Sequence, residues 1–334
     1  MLFDTNDYNV YLNIPDDINF SFNDIIETNI FDLDTYINNL YIKDHQSLIV
    51  LWGIGARIPL TDHRITKLNE FYHSIDNPMI LVNGTVNNQH SLLDFPMLEI
   101  VLFRYISKIS LRHDRIIDSA KTKKFLFAST KDYLTRRYVL QSLINQGLSD
   151  QGYIAYKCIT RDLSPQMFDT DNYQIIKTAG DSIESLLPIQ GFDEIPNYNS
   201  VPEDVIQDTI LSVITETYFN APIHISEKVF NAMMYNHLFI YLGPPHTLKY
   251  LRSLEFKTFG HIIDETYDTI ENDAERLFAV TKSLENFLQQ PIETLREIYK
   301  DNIDILEHNR KLVQATEVVT TVTDAFRSAI AIKQ

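Results

Sequence analysis

The chain has 334 residues, 44% of them apolar and 22% charged, with a net charge of -16 and one cysteine. It is long enough for two domains with cores that need no disulfide or metal to hold them, and lone Cys158, in the apolar stretch IAYKCIT, excludes an internal disulfide framework or a cysteine-rich zinc site. No apolar run approaches the roughly 20 residues that span a bilayer, and the acidic start MLFDTNDYNVYL lacks the pattern of a signal peptide, so a cytoplasmic protein without membrane contact is expected.

In chain order, FDLDTYINNLYI (31–42) reads as a helix. SLIVLWG (47–53), PMILVNG (78–84) and MLEIVLF (97–103) are short apolar runs without alternation, the pattern of strands covered on both faces. HRITKLNEFYHSI (63–75) carries a helical pattern between the first two, and alternation of strand and helix predicts an α/β layer. From Arg104 to Arg137 ten basic residues stand against three acids, a net of +7 that leaves -23 for the remainder. This stretch reads either as a solvated basic helix face or as a positive site for phosphates in an acidic protein.

A second series follows. KKFLFAS (123–129), GYIAYKCI (152–159), TILSVITET (209–217) and LFIYLG (238–243) read as strands, and FKTF (256–259) as a further short one. TRRYVLQSLINQG (135–147), EKVFNAMMYN (227–236) and HTLKYLRSL (246–254) read as helices, the first stopped by Gly147 and the second opened by Ser226. The proline- and Asx-rich segment from about 160 to 205 reads as loops and short helices. From about 272 onward the chain is helical, with Leu277, Val280, Leu284 and Phe287 on one apolar face, continued by Leu295, Ile298, Ile305, Leu306 and Val313. The expectation is two Rossmann-like domains, 1–118 and 119–280, followed by a helical extension, 281–334.

The densest local signal is residues 214–259: a strand, an acidic turn at Glu216, a loop, a helix capped by Ser226, a strand and the loop Gly243-Pro244-Pro245. Open α/β sheets bind ligands beyond the carboxyl ends of their strands, where a helix N-terminus offers free N–H groups to an anion. Lys228 in the first helical turn is unfavourable for the helix alone, so a nearby anion would account for it. Glu227 is suited to accept hydrogen bonds from sugar or ribose hydroxyls. An ordinary capped helix with exposed Glu227 and Lys228 is the plainer alternative.

This segment resembles the nucleotide-sugar motif of fucosyltransferase-like GT-B glycosyltransferases, and more closely that of related viral (bacteriophage-type) and bacterial glycosyltransferase-like proteins. The resemblance is carried by Glu216, Ser226-Glu227-Lys228-Val229-Phe230, Gly243-Pro244-Pro245, Leu248-Lys249-Tyr250-Leu251, Phe256-Lys257-Thr258-Phe259 and Asp264-Glu265-Thr266-Tyr267-Asp268. It covers roughly residues 120–285, and Glu255 stands where those proteins have Gly. The resemblance also implies a phosphate-gripping arginine opening the helix after the first strand, here Arg136 or Arg137, although Ser129 and Thr130 replace the usual Asn of that loop. It implies a GT-B fold, with two Rossmann-like domains, a central cleft and C-terminal helices. It further implies a nucleotide-sugar donor held by Arg136 or Arg137, Glu216, Ser226, Glu227 and Lys228, with Lys228 stabilising the leaving diphosphate without a metal.

The acceptor hydroxyl needs a base from the first domain. Asp62 and His63 follow the first strand, and His90 and Asp94 the second; Asp62 and His63 are the catalytic candidates. The turn Trp52-Gly53-Ile54-Gly55 is an incomplete dinucleotide fingerprint, which leaves an oxidoreductase a distant alternative. Asp32-Leu33-Asp34 and Asp169-Thr170-Asp171 have the Asp-x-Asp form that holds a divalent metal in another glycosyltransferase architecture, but they read as helix and loop. For the acceptor, hydroxymethylated bases of viral DNA are favoured by the +7 stretch and disfavoured by the overall charge; a glycan or protein acceptor and a non-catalytic GT-B binding protein are the alternatives.

Overall fold

A computed structural model of the chain describes residues 49–53, 62–74, 79–83, 92–94, 97–99, 121–162, 201–217 and 225–314, with a few positions between them. The chain divides into two compact units; the described residues from 49 to 99 belong to the first, and nearly all those from 121 to 314 to the second. Both are α/β. The expected helix at 31–42, both Asp-x-Asp strings, the loop carrying His90 and the basic residues from 104 to 120 lie outside the described residues.

In the first unit, β1 (Ile49–Gly53), β2 (Met79–Asn83) and β3 (Met97–Glu99) form a parallel sheet in that order, with α1 (Asp62–Ser74) between β1 and β2. The non-alternating runs have the predicted cause, since Met79 and Ile80 are fully buried. Helix α1 buries Ile65, Leu68, Phe71 and Tyr72 along one stripe at helical spacing.

The second unit runs β4 (Lys123–Tyr133), α2 (Leu134–Asn145), β5 (Tyr153–Asp162), α3 (Glu203–Asp208), β6 (Thr209–Thr215), α4 (Glu227–Met234), β7 (Leu238–Leu242) and α5 (Thr247–Ser253). Helices α6 (Asp273–Leu288), α7 (Ile292–Asp301) and α8 (Ile303–Gln314) complete it, so the helices expected as an extension belong to this unit. The sheet order is β5-β4-β6-β7, parallel throughout, and every residue of β6 and β7 is buried. The predicted stripe of α6 (Leu277, Val280, Leu284 and Phe287) is buried against this core. No described helix is long and apolar enough to cross a membrane.

The described part of the basic stretch is not a solvated helix face, because Lys121, Lys124, Arg136 and Arg137 are buried. Lys124 Nζ donates to the carbonyls of Leu288 and Gln290, both at 2.7 Å, and so satisfies the C-terminal end of α6. Lys121 Nζ donates to Gln207 O and Thr209 O and lies 4.6 Å above the Tyr299 ring of α7. Arg296 Nε returns a bond to Lys121 O at 2.6 Å. These cations pin the closing helices to the start of the sheet.

Three helices end in the same hydrogen-bonded turn around a left-handed residue: Gly147 (φ 65), Asn236 (φ 53) and Glu255 (φ 68). Gly and Asn suit that conformation; Glu does not. Glu255→Gly should therefore raise stability by about 0.5–1 kcal/mol, the left-handed penalty being only partly offset by the freer unfolded chain. An unchanged or lowered urea midpoint would contradict this.

The expected strand FKTF is irregular instead. Its backbone pairs with a side chain: Lys257 N donates to Asn309 Oδ1, and Asn309 Nδ2 donates to Lys257 O, both at 2.8 Å. Phe259 N donates to Glu265 Oε1. With those groups satisfied by an amide and a carboxylate, the segment needs no neighbouring strand.

Candidate functional site

The chain passes from β4 out to β5 and then returns across β4 to β6, so the direction of strand addition reverses between β4 and β6. Crevices at such a reversal, outside the carboxyl ends, are where open parallel sheets bind ligands. Here the two strands diverge. Their pairing covers Lys123, Phe125 and Leu126 of β4, after which β4 continues only against β5, with a register shift between Ser129 and Lys131.

Arg136 occupies the divergence. Its Nη1 donates to Ser129 Oγ (2.9 Å) and Lys131 O (3.2 Å), and its Nη2 to Thr215 O (3.0 Å) and Thr217 Oγ1 (3.3 Å). One guanidinium thus joins the end of β4 to the end of β6, with the Tyr133 ring 4.8 Å away. Helix α2 follows β4 without a loop; it has no side-chain cap and no acid in its first turn.

Arg137 is held by an acid instead. Its Nε and Nη2 donate to the two carboxylate oxygens of Asp132, each at 2.5 Å, and both side chains are fully buried. Tyr156 Oη donates to the same carboxylate at 3.0 Å. Burial, and then the Asp132 charge, push the Tyr156 hydroxyl far above its ordinary value, so it stays a donor. Both arginines thus lie near the carboxyl end of β4, but Arg137 is committed to Asp132, whereas Arg136 reaches across to the end of β6.

At the end of β6, Glu216 N donates to Leu242 O, so the β6–β7 pairing runs one residue further. The Glu216 carboxylate is buried, and Ser226 N (3.0 Å), Ser226 Oγ (2.7 Å) and Tyr241 Oη (3.2 Å) all donate to its Oε1. Lys228 Nζ donates to Glu216 Oε2 at 3.4 Å and to Ser226 Oγ at 2.8 Å. Ser226 also caps α4, accepting from Lys228 N at 3.5 Å. A hydroxyl has one donor and two acceptor positions, and all three are used. Glu216, Ser226 and Lys228 thus meet next to the Thr215 and Thr217 atoms that hold Arg136. The side chains of Glu227, Asp62 and His63 lie outside the described residues, although Asp62 and His63 open α1 beyond the carboxyl end of β1.

Asp94 sits elsewhere. It precedes β3, and its carboxylate is 2.8 Å from His73 Nε2 in the last turn of α1. Both belong to the amino-terminal edge of the first sheet, opposite the end where parallel sheets bind ligands. A shallow depression of about 570 Å³ beside them is lined by Thr66, Asn69, Glu70, His73 and Ser74.

One other residue that shapes the site gave no sequence signal. Arg276, almost wholly buried, donates to the carbonyls of Phe219, Gly243, Ile270 and Glu271 and pairs with Asp273. It ties the loop after β6 to the loop after β7. A side chain on Gly243 would run into the Tyr241 ring. In the acidic stretch of the motif, Asp268 accepts from Leu248 N and Lys249 N and so caps α5, while Glu265 accepts from Phe259 N, Thr258 Oγ1 and Arg252 Nη1. Burial holds the Glu265 carboxyl above its ordinary value despite these bonds.

No family model, curated protein or solved structure matches the chain.

Proposed function

We propose that the chain is a nucleotide-sugar-dependent glycosyltransferase of the GT-B type, with its donor site at the carboxyl end of the second sheet. One observation carries the reading. Arg136 and Lys228, far apart in sequence, are held at the same sheet end, Arg136 on Thr215 and Lys228 on the adjacent Glu216. Lys228 keeps exposed surface for a diphosphate and buried Arg136 adds its charge nearby; with a strand reversal and the N-termini of α2 and α4 beside them, the two cations suit such a group. As the bond from sugar to phosphate breaks, negative charge collects on the diphosphate, and fixed cations there stabilise the transition state more than the bound donor. The acceptor hydroxyl would lose its proton to a base of the first unit, for which Asp62 and His63 are the candidates.

A thermal-shift panel of nucleoside diphosphates and nucleotide sugars tests donor binding. A transfer assay then offers hydroxymethylated duplex DNA and a sugar acceptor in parallel, with mass analysis of the products. Lys228→Ala should lose about 2–4 kcal/mol of transition-state stabilisation, roughly 30- to 1000-fold in turnover. Unchanged turnover would remove Lys228 from the mechanism, and no transfer with any donor would reject the enzyme reading.

A further inference from the structure

We infer that Glu216 is not a donor contact but the resident counter-anion of Lys228, so that a bound diphosphate must take the ammonium away from it. The inference rests on the proposed diphosphate site. The carboxylate has no exposed surface, whereas the Lys228 side chain keeps 15% of its own. A group without exposure has no face to offer a ribose or sugar hydroxyl. It is instead surrounded by donors: an N-cap N–H, a serine hydroxyl, a phenol and the ammonium. This is the donor set of an anion site, and an anion is already in place.

The network fixes how tightly Lys228 is held. Ser226 gives its only proton to Glu216 and so turns its lone pairs toward Lys228, whose Nζ lies closer to that hydroxyl than to the carboxylate. Tyr241, on β7, shares the charge of Glu216 through its hydroxyl. Burial, followed by Glu216 itself, keeps the Tyr241 hydroxyl well above its ordinary value, so it remains a donor. An incoming diphosphate competes with Glu216 for one ammonium, and its affinity is the difference between the two attractions. Glu216 and Tyr241 are thus positioning residues that act through Lys228.

This gives opposite signs for two conservative changes. Glu216→Gln keeps an acceptor for Ser226 but removes the charge; it should tighten binding of uridine or guanosine diphosphate about tenfold, within the range for residues in direct contact. Tyr241→Phe removes a donor that shares the Glu216 charge, leaves the carboxylate more dependent on Lys228, and should weaken the same binding about two- to threefold. The gain from Glu216→Gln should vanish when Lys228 is already alanine. Calorimetric titration of the wild type, E216Q, Y241F, K228A and E216Q/K228A with both diphosphates and inorganic pyrophosphate reads all of these. A purely structural Glu216 would make E216Q bind more weakly, and that result, or a gain that persists in the K228A background, overturns the inference while leaving the donor site standing. Should E216Q not fold, tighter or unchanged binding by Y241F overturns it alone. Absence of binding by the wild type overturns both the inference and the donor site.

Discussion

Asp132→Ala is expected to destabilise the second unit by about 3–5 kcal/mol, the cost of leaving one member of a buried ion pair without its partner. The carboxylate lies at the end of β4 with no exposed surface, holds two nitrogens of Arg137 at 2.5 Å and accepts from Tyr156 Oη. Its removal leaves a guanidinium and a phenol in the interior where water does not reach. The pair also spans the loopless junction between β4 and α2, so its loss loosens the turn that places Arg136 at the strand divergence. Replacing both residues by apolar ones of similar size should recover much of the loss, because desolvation of the two charges disappears with them. Urea unfolding of the single and double variants measures both effects. A single variant within about 1 kcal/mol of the wild type would mean that Arg137 finds another anion or reaches solvent, and the inward orientation would then be wrong.

That orientation marks the limit of what the sequence tells. The strands and helices of the second unit were legible because their signals are local: apolar runs for β4 to β7, Gly147 and Ser226 at helix ends, and the apolar face of α6. The Ser226-Glu227-Lys228 triplet likewise located the N-terminus of α4. Which of Arg136 and Arg137 bridges to β6 was not legible, since it depends on the phase at which α2 leaves β4. Nor were the buried cations. Lys121 and Lys124 read in sequence like any surface lysines, but their ammonium groups answer carbonyls up to 166 residues away. FKTF misled for the same reason, because its partner is Asn309, 52 residues later. Long-range satisfaction of polar groups leaves no periodicity behind, so the core was readable and the buried cations and the partner of FKTF were not.

Acid should weaken the second unit through His237. The ring is fully buried at the start of β7, with Nδ1 2.9 Å from Ser212 Oγ and Nε2 2.7 Å from Ile206 O. Both contacts are satisfied by the neutral ring: Nε2–H donates to the carbonyl, and Nδ1 accepts from the serine hydroxyl. A second proton at Nδ1 would force the Ser212 hydroxyl to turn and accept, and would find no solvent. Burial, then the nearby Lys121 charge, lower the His237 pKa from 6.5 to about 3, against the opposing bond to Ile206. The unfolded chain therefore binds this proton first. Stability is complete above the unfolded value of 6.5 and falls with pH until the folded value near 3 is reached. The whole interval corresponds to roughly 4–5 kcal/mol, and the part between pH 7 and pH 4 to about 3 kcal/mol. Carboxylates titrate in the lower half of the same window, so the comparison must isolate the histidine. In His237→Gln the amide offers one donor and one acceptor but binds no proton. Its unfolding free energy should fall by about 3 kcal/mol less than that of the wild type between pH 7 and pH 4. Parallel pH profiles for the two proteins would show that the ring is protonated in the folded state, and with it that the β6–β7 core admits water.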